Sequence, residues 1–183
     1  SPLTASGRVG VKLNFPYPTG KHADDACDWT QPDKHSTTIV AQDAHSATLK
    51  RQLDETTYYV RLAWEGDAKL SEKEKHYFVL TPQSGDTLSF TCLFTSAEPT
   101  GENLSFDTLL ASASRYWNNY WSHGGIVDFS HCKDPRAKEL ERRVVLSQYL
   151  MAIQCAGSVP PQESGLTYNT WFGKFHLEMH WWH

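Results

Sequence analysis

Apolar and polar residues alternate through residues 1–100 of the chain. The segment RVGVKLNF places Val9, Val11 and Leu13 on one side and polar residues or glycine between them, which is the period-two pattern of a half-buried strand. Similar segments follow at short intervals: TTIVAQD, SATLKRQL, TYYVRLAW, KHYFVLTP and DTLSFTCLFTS. Turn residues separate them, most clearly at Pro82 to Asp86. Short strands joined by turns predict an N-terminal β-sandwich over residues 1–100.

The period changes after Pro99. Apolar residues then recur at spacings of three and four, at Leu109, Leu110, Ala113, Trp117, Tyr120 and Trp121. Ser105 is a suitable N-cap, and Gly124 with Gly125 ends the pattern. We therefore predict an amphipathic linker helix within residues 101–125.

A second helix is predicted between Asp134, as N-cap, and Gly157, with Pro135 at the first helical position. It carries two apolar faces, formed by Leu140 and Val144 and by Leu146, Leu150 and Ile153. Two faces indicate packing on two sides, and a third helix could start within 175–183. These few helices cannot close a core alone, so residues 126–183 are expected to open a larger helical domain. The chain is expected to be a fragment of a longer polypeptide with an α+β multidomain fold.

Composition and charge limit the classes of partner. The 183 residues carry a net charge of -4 with a pI near 6.1, which disfavours a nucleic-acid partner. No apolar run approaches the roughly 20 residues of a membrane span. No phosphate loop, dinucleotide fingerprint or Ser-His-Asp order is evident, and no cofactor is predicted. Four cysteines lie far apart without a CxxC pair, so the sequence leaves disulfides open; they are Cys27, Cys92, Cys132 and Cys155.

The densest chemistry lies in GLTYNTWFGKFHLEMHWWH, residues 165–183. His176, His180 and His183 fall at i, i+4 and i+7, a spacing that could present three imidazoles to one metal ion on one helical face. The order is His-x-Glu-x-His, however, and the His-Glu-x-x-His motif of zinc proteases is absent. Core or supporting histidines are the alternative, and no metal site is predicted.

A sugar site is the second interpretation of this stretch. Pyranose rings bind aromatic faces through their C–H groups, and carboxylates accept hydrogen bonds from their hydroxyls. The candidate substrate-binding residues are Trp171, Lys174, His176, Glu178 and Trp181. A plain aromatic core is the competing interpretation, although so many buried polar groups would be costly without partners.

Two loops could contribute to the same site. The segment FPYPTGKHADDACDW, residues 15–29, offers His22 and Asp24, and the segment after the second helix offers Gln162 and Glu163. Loops that leave a rigid scaffold often carry function. A solvated loop with local turns is an equally good interpretation of the first segment, and Glu163 could be a solvated or capping carboxylate.

The frame Gly165-Leu166-Thr167, Gly173 and Glu178 resembles the six-hairpin glycosidases, a superfamily that includes maltose, trehalose and kojibiose phosphorylases and related hydrolases. In that family a Trp-Asp pair binds the hydroxyls of the sugar in the −1 subsite. Here Glu178 stands at the place of the aspartate, and Leu177 replaces the tryptophan. The stretch SGLTYNTWFGKFHLEMHWWH resembles bacterial members of the superfamily still more closely.

This resemblance implies a carbohydrate-active enzyme, with the sandwich packed against the first helices of an (α/α)6 toroid. It implies inverting cleavage of glycosidic bonds in an oligo- or polysaccharide, by hydrolysis or by phosphorolysis. The general acid is expected beyond His183, in the remainder of the polypeptide, so the chain alone would be inactive. A secreted or periplasmic location fits a glycan-degrading enzyme. The rivals are a non-catalytic carbohydrate-binding module and a metal-dependent hydrolase that uses the three histidines.

Overall fold

A computed structural model describes residues 9–22, 25–167 and 171–182, without the side chains of Phe172, His180, Trp181 and Trp182. Within these residues the chain forms several antiparallel sheets and three α-helices, which is an α+β arrangement. The strands are β1 (Val11–Asn14), β2 (Tyr17–Pro18), β3 (Cys27–Asp28), β4 (His35–Gln42), β5 (Ser46–Leu53), β6 (Thr56–Trp64), β7 (Ala68–Glu74), β8 (Tyr77–Pro82) and β9 (Phe90–Thr95).

These strands form three sheets. The orders are β1-β8-β7, β2-β3 and β4-β5-β6-β9, and the pairings within the first and third sheets are antiparallel. The predicted strand over SATLKRQL is confirmed as β5, and β6 differs from its prediction by one residue. Strand β4 lies at a sheet edge, and a bulge interrupts its register with β5 between Ile39 and Ala41.

Three predicted strands begin too early. RVGVKLNF starts its strand only at Val11. KHYFVLTP was expected to be extended throughout, but Lys75 and His76 form the turn between β7 and β8, with His76 at φ 66°. Its two ring nitrogens bond to neighbouring segments, which offsets the cost of this conformation. DTLSFTCLFTS starts its strand only at Phe90. Strand β7 was not predicted, because AKLSEKE has few apolar residues to show an alternation.

One hydrophobic cluster joins the two larger sheets. Ala47 and Leu49 on β5 pair in register with Leu62 and Val60 on β6, and all four are buried. The remaining buried members of the cluster come from β6, from β7 and β8 and from the segment after β1: Trp64, Leu70, Phe78, Leu80 and Phe15. Full burial of such a side chain contributes about 1.5–3 kcal/mol each, so this cluster is the principal source of stability in the β-rich part.

The helices are α1 (Phe106–Ser122), α2 (Ala137–Gln154) and α3 (Leu177–Trp182), with a short 3-10 helix at Trp171–Gly173. Ser105 caps α1 as predicted, since its hydroxyl accepts a hydrogen bond from the Thr108 N–H at 3.2 Å. The predicted N-cap of α2 is wrong: Arg136 holds that position and makes no side-chain cap. The Asp134 carboxylate instead accepts the Arg136 N–H at 2.8 Å, in the turn before the helix.

Large apolar residues on α2 remain exposed. Leu140 is 52% exposed and Leu146 is 42% exposed, and Ala137 is the buried residue of the helix. Within the described residues, none of the helices is both long and apolar enough to cross a membrane.

The chain divides into two compact units. The β-rich unit comprises Ser1–Tyr17 and Asp28–Trp117, and the helical unit comprises Pro18–Cys27 and Asn118–His183. The loop that carries His22 therefore belongs to the same unit as the C-terminal segment, although far apart from it in sequence. The predicted domain limits at residues 1–100, 101–125 and 126–183 stay a prediction.

Candidate functional site

The last residue of α2 anchors the segment that leads into the candidate site. The carbonyl of Gln154 accepts the Leu166 N–H at 3.1 Å, and its side-chain oxygen accepts the Thr167 N–H at 3.2 Å. Its side-chain amide also donates to the Thr167 hydroxyl at 2.7 Å. Gly165 permits this fit, because it has φ 80° and a Cβ there would overlap the Gln154 side-chain oxygen. One glutamine thus fixes the path of Gly165-Leu166-Thr167.

A backbone contact brings the two ends of the following loop together. The Glu163 N–H donates to the Lys174 carbonyl at 3.0 Å, and the Lys174 N–H donates to the Trp171 carbonyl at 3.3 Å. Residues predicted from separate parts of the sequence therefore become neighbours. The backbone, rather than the Lys174 side chain, makes these contacts.

His176 lies between two carboxylates. Its Nδ1 is 3.5 Å from Glu163 Oε1, and its Nε2 is 3.9 Å from Glu178 Oε2. These separations exceed hydrogen-bond distances, so the attraction is mainly electrostatic and requires a protonated imidazole. The Glu163 side chain is 19% exposed, whereas the Glu178 side chain is 71% exposed. The structure therefore presents an exposed carboxylate, Glu178, beside an imidazole and a more buried carboxylate.

Trp171 contacts His22 from the distant loop. The two rings meet edge to face, with centroids 4.7 Å apart and an interplanar angle of 82°. Trp171 has φ 54°, an unusual conformation for a bulky residue, and the residue is 38% exposed. The loop over residues 15–29 therefore contacts the C-terminal stretch at His22, and its contribution to a binding site stays a prediction.

The remaining predicted site residues are Gln162, Asp24 and Trp181. The Gln162 carbonyl accepts the Gly165 N–H at 2.9 Å, which closes the turn beside Glu163. Asp24 lies outside the described residues, as does the side chain of Trp181. Side-chain contacts thus join Trp171 with His22, and His176 with Glu163 and Glu178, while Lys174 meets Glu163 and Trp171 through its backbone.

The helical face considered for a metal is described only in part. His176 precedes Leu177, the first residue of α3, and so lies outside that helix. The side chain of His180 and the whole of His183 lie outside the described residues. Across the described ranges, no three His, Cys, Asp or Glu side chains converge in a way that could hold a metal ion.

A second polar cluster, in the β-rich unit, was not predicted. Arg51 is fully buried and donates to the Thr37 hydroxyl at 2.6 Å and to the Ser36 carbonyl at 3.0 Å. The same Thr37 hydroxyl lies 2.8 Å from His76 Nδ1, and the His76 ring stacks on His35 at 3.8 Å. The alternation in SATLKRQL does indicate that Arg51 is buried, because Arg51 falls on the same side of β5 as Ala47 and Leu49.

Compared with models of protein families, with curated proteins and with solved structures, the chain matches none of them. The resemblance to the six-hairpin glycosidases therefore stays a prediction from the sequence.

Proposed function

We propose that the chain is part of a carbohydrate-active enzyme that cleaves glycosidic bonds, and that Glu178, His176, Glu163 and Trp171 form part of its sugar-binding subsite. The observation that carries this proposal is the position of His176 between Glu163 and Glu178. An exposed carboxylate can accept hydrogen bonds from sugar hydroxyls, and the imidazole between the two acids can either donate or accept.

The exposed aromatic ring supports the same function. Trp171 remains partly open to solvent while its contact with His22 limits its motion. A fixed aromatic ring can bind the C–H face of a sugar without a large loss of side-chain entropy. The two sides of the subsite would thus supply apolar contact and hydroxyl recognition.

At the level of the fold, we propose a β-sandwich followed by the first helices of an α/α toroid. The shared core of the two larger sheets supports the sandwich. The exposed leucines of α2 support further helix packing, because a helix with apolar residues on two sides is normally covered on both. The intact mass of the native polypeptide tests this proposal, and a mass near 20.8 kDa would contradict it.

The activity is tested in the native polypeptide with α- and β-linked oligosaccharides, with and without inorganic phosphate. We expect Glu178→Gln to lower turnover at least about tenfold, because it removes a charge-assisted hydrogen bond from a bound hydroxyl. The melting temperature should change little, since Glu178 is largely exposed. Dependence on phosphate would indicate phosphorolysis.

Glu55→Gln is the matched control, because it removes an exposed carboxylate in the turn between β5 and β6. It should leave turnover unchanged. Equal turnover of the wild-type protein and Glu178→Gln would refute the assignment of Glu178. Saccharide binding without cleavage of any substrate would favour the non-catalytic binding module.

A further inference from the structure

A polar cavity of about 370 Å³ lies in the β-rich unit, beside the turn between β7 and β8. Its wall includes Asn14 at the end of β1, Trp29, His35 at the start of β4, and Lys75 and His76 in the turn. The volume falls within the range of about 300–1,000 Å³ that is usual for small-molecule sites. The cavity is therefore large enough to be considered as a binding site.

The wall is held in place by the side chain of His76. Its Nε2 lies 2.7 Å from the Pro32 carbonyl, and its Nδ1 lies 2.8 Å from the Thr37 hydroxyl. The His76 carbonyl also accepts the Phe15 N–H at 3.2 Å. These contacts connect the turn with three other segments, although His76 has a positive φ. Strained residues held in this way are common at binding sites, where they fix the geometry in advance.

One buried polar atom in this wall has no partner in the described part of the chain. His35 is 8% exposed and stacks on the His76 ring at 3.8 Å, and no side chain or backbone group there bonds to its Nδ1. Leaving a buried polar atom unpaired costs about 1–3 kcal/mol. This nitrogen has almost no accessible surface, so the ligand contacts lie instead at the exposed side chains of the wall.

The charges around the cavity favour a neutral ligand. Asp28 and Glu74 belong to the wall and would repel an anion. Lys75, which also lies in the wall and pairs with Asp33 at 2.6 Å, would repel a cation. Charges of both signs are well suited to hydroxyl groups, which donate to carboxylates and accept from ammonium groups.

Trp29 supplies an apolar surface beside these polar groups. The residue is 55% exposed. The preceding Asp28 carboxylate accepts the Thr30 N–H at 2.9 Å and the Thr30 hydroxyl at 2.7 Å. This local turn fixes the backbone on both sides of the tryptophan. An indole next to hydrogen-bonding groups is the combination that recognises a sugar ring.

We propose that this cavity is a second saccharide-binding site, in which a neutral sugar unit lies against Trp29 and bonds through its hydroxyls to the exposed side chains of Glu74 and Lys75. The site lies entirely within the β-rich unit and does not depend on the proposed cleavage activity. It would retain a polysaccharide chain rather than cleave it.

The test is NMR titration of the full chain, labelled with nitrogen-15 at its tryptophan indoles, with glucose, galactose, mannose and maltotriose. The Trp29→Phe spectrum identifies the Trp29 signal. We expect that signal to shift with at least one sugar, and Trp29→Ala and Glu74→Gln to weaken the affinity, measured by isothermal titration calorimetry, about tenfold each. Both variants should fold normally because they replace exposed residues.

Trp171→Ala and Glu178→Gln serve as controls from the other unit and should leave the Trp29 titration unchanged. Loss of the Trp29 shift in these variants would contradict the proposal, and so would the absence of a shift with all four sugars. Tighter binding of glucose 6-phosphate than of glucose would also overturn it, because the site would then select an anion. If Glu178→Gln turned over its substrate like the wild-type protein, the proposed function of Glu178 would be refuted, but the Trp29 titration would still test this second site.

Discussion

At the scale of single residues, Arg51 and His35 show how charge is handled inside the β-rich unit. Arg51 bonds to uncharged oxygens, and its guanidinium lies 4.8 Å from the centre of the Phe15 ring. Burial, together with the charges of His76, Arg51 and Lys75, lowers the pKa of His35 from 6.5 to about 4. His35 is therefore neutral near pH 7, and the cluster carries the positive charge on Arg51.

His35 should make the stability of the protein fall in mild acid. Between about pH 6.5 and pH 4 the unfolded chain gains a proton at this residue while the folded chain does not. Linkage then predicts that the free energy of unfolding decreases as the pH falls through this range, by on the order of 2–3 kcal/mol. Urea unfolding at a series of pH values measures the effect.

His35→Phe is the matched variant, because phenylalanine preserves a ring against His76 but cannot take up a proton. The difference in stability between the two proteins should change with pH across the same range. A difference that stays constant from pH 7 to pH 4 would show that His35 does not govern the response.

At the scale of elements, the loop from Gln162 to Gly173 depends on one glycine. Gly165→Ala should lower the free energy of unfolding by roughly 1–3 kcal/mol, because it strains a positive φ and displaces the Gln154 side chain. Saccharide binding at Trp171 and Glu178 should weaken with it. Thermal unfolding measures the change in stability, and titration with the oligosaccharide that the native polypeptide cleaves measures the change in binding.

Gly125→Ala is the control for this prediction. A Cβ at Gly125 meets no atom within 4 Å, and its backbone is not in the left-handed region. This variant should unfold like the wild-type protein. Equal stability of the two alanine variants would show that the contact between Gly165 and Gln154 does not constrain the loop.

The strands were more predictable than the site, for a physical reason. In strands β5 and β6 core residues recur at every second position, at Ala47 and Leu49 and at Val60 and Leu62, so the sequence pattern locates both strands. The contact between His22 and Trp171 joins two loops that no periodicity connects. The sequence could suggest that both loops carry function, but only the folded chain shows which of their residues meet.

The turn at Lys75 and His76 illustrates a different limit. KHYFVLTP contains a run of β-branched, aromatic and other apolar residues from Tyr77 to Leu80, which predicts an extended segment, and nothing in the pattern distinguishes its first two residues. Distant hydrogen bonds to Thr37 and Pro32 hold His76 in the turn. The predicted N-cap of α2 was wrong for a similar reason. Asp-Pro is a good signal for the start of a helix, but the hydrogen bond from the Arg136 N–H to the Asp134 carboxylate forms a turn before the helix.

At the scale of the whole molecule, no disulfide joins the four cysteines, all of which are described as free thiols. Folding therefore relies on packing and hydrogen bonds, and a reducing agent should leave the melting temperature unchanged. A drop of several degrees in dithiothreitol would contradict this.

Thiol titration with a disulfide reagent provides an independent measurement. Cys132 is exposed and should react early, whereas burial raises the pKa of the Cys92 thiol and should slow its reaction. Cys132→Ser should remove an early phase and leave the slow phase of Cys92 intact. Equal rates at the two residues would refute this order.

The bulge in β4 has a consequence for the protein in concentrated solution. An outer strand with regular spacing can act as a template on which a second copy adds its own backbone, and Ile39 and Val40 are exposed there. The irregularity between Ile39 and Ala41 breaks that spacing on the open side of the strand. A second copy that contacts this edge thus meets exposed apolar side chains but cannot form a continuous series of backbone hydrogen bonds with the strand. This opposes growth into fibrils.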